Sequence, residues 1–169
     1  FEIGLLGSSH FIGFLTGCWI VPFIMARVGH IRAFTILAML SIVGSLLHPI
    51  LVDPYFWCLL RVLSGLSIAG CFTIAEGWLN AKVTNQNRGR VFGGYRFVDN
   101  GGAALGVVFI SLLDVTNIVN YNTIALLLCL CILPLAFTTN IPPTVPKSPS
   151  LNLWKTFIVS PLSFIAVFV

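Results

Sequence analysis

The sequence predicts an all-α fold, a polytopic membrane helix bundle, on three observations. Of 169 residues, 57% are hydrophobic and only 8% charged, against about 25% charged in a soluble domain; the mean hydropathy is +1.00. The apolar residues gather into continuous stretches of about 20, the length that crosses a bilayer core. Most of the remaining charges fall between those stretches, and the basic ones on alternate connections. A transmembrane barrel would instead show alternating segments of about ten residues. The net charge of +4 does not point to nucleic acid, because no basic helix face or Arg-rich aromatic sheet pattern accompanies it.

Five spans follow in order. The first is Gly4 to Met25, with Pro22 inside it, and the second is Ala33 to Val52, with Pro49 in its last turn. Asp53 and Pro54 make a tight connection to a third span, Tyr55 to Leu79. The fourth runs from Val91 to Leu113 and the fifth from about Ile118 to Phe137, with Pro134 inside. Prolines are tolerated within membrane helices because neighbouring helices satisfy the freed backbone groups. The stretch 138–152, TTNIPPTVPKSPSLN, carries four prolines and can neither continue a helix nor bury much surface; it reads as a linker. A sixth apolar run covers 153–169 and reads as the start of a helix in a second membrane unit. Residues 1–137 are thus expected to form one unit of five spans, in a chain that reads as a fragment of a longer protein.

Charge sidedness orients the bundle. Arg27, Arg32, Lys82, Arg88, Arg90, Lys147 and Lys155 fall on one set of connections, whereas Glu2, Asp53 and Asp114 lie on the other. Basic connections stay on the cytoplasmic side, so the first span runs inward and the linker is expected in the cytoplasm. The five cysteines, Cys18, Cys58, Cys71, Cys129 and Cys131, all sit in spans with no C-x-x-C pair. They read as small packing residues, and no metal or other cofactor is expected. Trp19, Trp57, Trp78 and Trp154 lie nearer helix ends than centres, where an aromatic belt forms. Gly13 and Gly17, and likewise Gly102 and Gly106, share a helix face at four-residue spacing, which allows backbones to approach closely.

Charges at membrane depth are costly, about 2.5 to 3.5 kcal/mol at a helix centre, so each needs a partner or a wet cavity. Arg61 lies roughly 9 Å from the outer face and Asp99 roughly 12 Å from the inner one at 1.5 Å per residue. Both fall in the middle half of a core about 30 Å thick, within reach of one another. Arg96 is one turn below Asp99 on the same side of its helix. Glu76 is then a natural partner for Arg96 or for Arg27. Two readings stand side by side for these charges: ion pairs that fix helix packing, or residues lining a central pathway. His10 reads first as a hydrogen-bonding packing residue and second as a proton carrier.

Three segments resemble the major facilitator superfamily. Pro22 to Arg32 looks like that family's loop between helices two and three, roughly G-x-x-x-D-R-x-G-R-R. Arg27 and Gly29 match, and Arg32 follows the pattern. Pro22 replaces the first glycine, Ala26 the aspartate, and His30 and Ile31 the next two basic residues. With Ala26 in place of the aspartate, this loop lacks the carboxylate of the family's gating contact. Arg61 to Gly65 resembles the R-x-x-x-G pattern of helix four, and Arg88-Gly89 with Gly93 resembles the R-G-x-x-x-G start of helix five. The run Glu76 to Asn80, the Arg27 to Phe34 turn and Arg88-Gly89-Arg90 look closest to the YcaD-like bacterial branch. The glycine-rich fourth span, Gly93 to Gly106, lacks the Gly-Pro pair of drug antiporters.

The resemblance implies that the spans are helices two to six of an incomplete N-terminal half, followed by the linker and the start of helix seven. It implies secondary transport of a small solute by alternating access in a bacterial inner membrane, with protons as a candidate coupling ion. The partners would be that solute, the lipid bilayer and the second half of the same transporter, and not nucleic acid. Arg61, Asp99, Arg96 and His10 become candidate pathway residues, with Arg61 attracting an anionic group and Asp99 taking a proton. Arg27, Gly29, Arg32, Glu76, Arg88, Gly89 and Gly93 become candidate gating residues, and Gly13, Gly17, Gly65, Gly102 and Gly106 packing residues. A channel or a structural membrane subunit remains an alternative. A membrane-embedded enzyme is a weaker one: the chain has one deep aspartate and one deep histidine, fewer than a protease or haem site needs.

Overall fold

The computed structural model describes residues 2–112 and 117–137. The expected linker 138–152, the apolar run 153–169 and the acidic residue Asp114 lie outside the described residues. Five helices appear in chain order: α1 (Glu2–Val28), α2 (His30–Leu47), α3 (Pro54–Lys82), α4 (Arg88–Ser111) and α5 (Ile118–Ala136). Pro22 and Pro134 are inside α1 and α5.

Most expected boundaries move by a few residues, the end of the second span furthest. The second span ends at Leu47 rather than Val52, so Pro49 lies beyond the helix and not in its last turn. There His48 donates from Nδ1 to the Gly44 carbonyl at 2.7 Å, and the Trp57 indole N–H reaches both the His48 and Leu51 carbonyls at 3.0 Å. These donors satisfy acceptors a helix end would otherwise leave open. Asp53 then caps α3, its Oδ1 accepting from the Phe56 N–H at 2.8 Å, with Pro54 at the first helical position, the place where a missing N–H costs least. The fourth expected span forms as α4 but is not among the four helices, α1, α2, α3 and α5, that are long and apolar enough to cross a membrane. Arg96, Asp99 and Asn100 interrupt its apolar run.

Packing is centred on α3, which meets α1, α2 and α4; α2 also meets α1 and α5. The core is Val21, Ala33, Leu37 and Ile74, backed by Ile24, Met25, Phe34, Leu66 and Cys71. Large apolar side chains also point outward, Leu15 and Phe11 among them, as expected where the surroundings are lipid rather than water. Among the described residues α4 touches only α3, and none of its residues is buried.

Candidate functional site

The polar contacts between α3 and α4 begin at the connection. Asn87 Oδ1 accepts from the Thr84 N–H at 2.8 Å, closing the turn, and Arg88 donates from Nη2 to Asn80 Oδ1 at 2.7 Å. That bond ties the first residue of α4 to the end of α3. Two turns further along α4, Arg96 reaches back across the interface. Its Nη2 donates to Glu76 Oε1 at 2.9 Å, and its Nη1 faces Asp99 Oδ2 at 3.5 Å. The guanidinium carbon also lies 5.4 Å from the centre of the Tyr95 ring, within cation–π range.

Arg96 is therefore shared between two carboxylates, one on each helix. With all three ionised, the cluster carries a net charge of −1. Beside it, between α1, α3 and α4, is a cavity of about 290 Å³ lined by Phe14, Cys18, Phe72, Thr73, Glu76 and Arg96 with Ala69. The Thr73 hydroxyl donates to the Ala69 carbonyl at 2.8 Å, so it offers the cavity only lone pairs. Two larger cavities, about 570 and 500 Å³, lie between α2, α3 and α5 and share Phe34 and Ala75. The 570 Å³ cavity is apolar apart from Ser41, two thiols and the Tyr95 ring. The 500 Å³ cavity is charged only at Lys82. Size alone would favour them; the convergence of charge favours the smaller one.

The structure separates the two charges that depth arithmetic brought together. Asp99 faces Arg96, not Arg61; among the described residues no carboxylate lies within salt-bridge distance of Arg61. Arg61 is exposed on α3, and its carbonyl accepts from Ser64 Oγ at 3.0 Å. The same hydroxyl lies 3.4 Å from His10 Nδ1, so His10 is a long-range link between α1 and α3. Of the two partners considered for Glu76, Arg96 takes it. Arg27 and Arg32 are exposed at the α1–α2 turn, and Gly29 makes that turn with φ 83.

Gly13, Gly17 and Gly65 lie where α1 and α3 touch. A Cβ on Gly13 would run into the Val62 backbone, on Gly65 into the His10 carbonyl, and on Gly17 would stand 2.8 Å from the Leu66 carbonyl. Gly89, Gly93, Gly102 and Gly106 have nothing within 4 Å of that point among the described residues. The Gly102 and Gly106 face is thus presented but not packed by any described helix. Sequence reasoning did not single out Asn80 as the anchor of Arg88, or Tyr95 beside Arg96. The first had a signal, since Glu76 and Asn80 are four residues apart on one face of α3 and α4 follows a short turn.

The sequence pattern of the Major Facilitator Superfamily matches residues 1–169. An uncharacterized MFS-type transporter YcaD of Escherichia fergusonii is 28% identical over 139 residues, covering 81% of this chain and 36% of that protein. The uncharacterized MFS-type transporter Ent638_1421 of Enterobacter sp. (strain 638) is 29% identical over 139 residues, with the same coverage of 81% and 36%. YcaD of Salmonella arizonae is 26% identical over 110 residues, covering 65% of this chain and 29% of its own length. The chain thus spans little more than a third of the curated relatives it matches. No solved structure matches it.

Proposed function

We propose that this chain, which belongs to the Major Facilitator Superfamily, supplies helices two to six of a secondary transporter that moves a small solute by alternating access, with Glu76, Arg96 and Asp99 as its charged element. The transporter names of its relatives favour this over an enzyme. In such transporters two halves rock around a site near the bilayer midplane. Residues 1–137 belong in this reading to the first half, 138–152 to a cytoplasmic linker and 153–169 to the first helix of the second half. Arg27, Gly29 and Arg32, with Arg88, Gly89 and Gly93, form the cytoplasmic rim. The enterobacterial relatives support a bacterial inner membrane.

The observation that carries the proposal is Arg96 held between carboxylates on two helices. A charge left without a partner at membrane depth is costly. Arg96 escapes that penalty: if one carboxylate takes a proton, the guanidinium keeps the other. The cluster is thereby suited to exchange one proton per cycle, and a shift of Arg96 between Glu76 and Asp99 changes how α4 is held to α3. Arg61, uncovered on the outer half of α3, is the second candidate in the pathway. His10, bonded toward Ser64, serves the α1–α3 contact.

The test is uptake into liposomes containing the full-length protein under an imposed pH gradient, with pools of solutes. Arg96→Ala and Asp99→Asn are expected to lower saturable flux by about tenfold or more, the scale of losing one member of a close charge pair, with normal membrane insertion. Arg61→Ala is expected to lower it as well. Wild-type flux in both cluster variants, or flux that does not saturate, would overturn the proposal.

A further inference from the structure

We infer that the cavity beside the Glu76–Arg96–Asp99 cluster binds a small organic monocation with an apolar or aromatic body. The inference rests on the reading of that cluster as part of a solute pathway. Its starting point is charge balance. Glu76 and Arg96 line the cavity and Asp99 does not; with the guanidinium engaged by Glu76 at 2.9 Å and by Asp99 at 3.5 Å, an anion entering the cavity would approach a cluster of net charge −1. A monocation would bring that charge to zero. Tyr95 and Cys18, the other titratable groups facing the cluster and the cavity, add no positive charge.

The walls agree with the charge. Phe14 of α1 and Phe72 of α3 both line the cavity together with Glu76. Aromatic faces attract a cation through the ring quadrupole, by about 0.5 to 2 kcal/mol according to desolvation. Thr73, whose hydroxyl already donates to the Ala69 carbonyl, presents an oxygen lone pair, which also favours a positive guest. A volume of about 290 Å³ lies at the small end of ligand sites. It admits a quaternary ammonium or guanidinium group with one ring, not a large amphiphile.

The experiment is isothermal titration calorimetry on the full-length protein in nanodiscs, with benzyltrimethylammonium and, at equal ionic strength, benzenesulfonate. The cation is expected to bind and the anion not. Glu76→Gln is expected to weaken cation binding about tenfold or more, and Glu76→Asp, which keeps the charge, to retain it. Arg96→Gln separates charge from architecture. Two unopposed carboxylates at pH 8 are expected to bind the cation at least as tightly as wild type, whereas a merely structural role would abolish binding. Asp99→Asn repeats the test from the α4 side should Glu76→Gln not yield a monodisperse protein. Preference for benzenesulfonate, no cation binding at millimolar concentration, or full binding in Glu76→Gln would each overturn the inference. Flux in the same preparation distinguishes the two readings. Anion transport without cation binding removes the cation site and leaves the transporter; cation binding without any flux does the reverse.

Discussion

Gly29 shows how one residue sets the α1–α2 geometry. It has the only positive φ among the described residues, 83, yet its N–H donates to Met25 at 2.9 Å and its carbonyl accepts from Ala33 at 3.1 Å. The last bond of one helix and the first of the next meet there, in a conformation that crowds any Cβ. Gly29→Ala is expected to cost about 1 to 3 kcal/mol, read as a lower unfolding temperature of the full-length protein in detergent; an unchanged temperature would refute this account. The need for glycine was legible, because a tight turn between antiparallel helices stood in the sequence. The pairing of Asp99 was only half legible, since Arg96 stood one turn away on the same side of its helix while depth brought Arg61 near. Residue counting gives depth in the membrane but not azimuth, and Arg96, three residues away, reaches the carboxylate that Arg61 was placed near. The Arg96–Glu76 pair is partly exposed, at 56% and 38% of its side-chain area, and at membrane depth the pairing spares each charge an unpaired position.

At the scale of helices, one spacing produces two different outcomes. Gly13 and Gly17 of α1 and Gly65 of α3 lie in the α1–α3 contact so closely that a methyl group would meet Val62, Leu66 and His10 backbone atoms respectively. Backbone cannot rotate away as a side chain can, so the helices would have to separate. Gly13→Ala is therefore expected to destabilise by about 1 to 3 kcal/mol, the usual cost of overpacking. Gly44→Ala in α2, with nothing within 4 Å, is expected to be neutral or to stabilise by up to about 1 kcal/mol. Chemical unfolding of the two variants side by side measures the difference, and equal effects would show that the close approach is not what matters. Gly102 and Gly106 have the same spacing and no described neighbour. The pattern reveals that a helix face is small; what packs on it depends on surfaces the pattern does not contain.

Across the whole molecule, charge is sorted between two sides. The α1–α2 turn carries Arg27 and Arg32, and the α3–α4 connection carries Lys82, Arg88 and Arg90, two helices later and so on the same side. The α2–α3 connection between them has Asp53 and no Lys or Arg. Asp53 is occupied as a helix cap, and acidic residues contribute little to orientation, so the basic residues decide it. Arg88 is also bonded to Asn80, which commits that connection to a folded turn, while Arg90 stays exposed. In a background without native cysteines, Thr84→Cys of the full-length protein is expected to be shielded from an impermeant maleimide in right-side-out vesicles until the membrane is opened. Val52→Cys, on the opposite connection and exposed, is expected to react at once. Labelling in the opposite order would reverse the orientation. It would also place the Arg96 cluster in the outer half of the bilayer, so that protons would reach it from the other compartment.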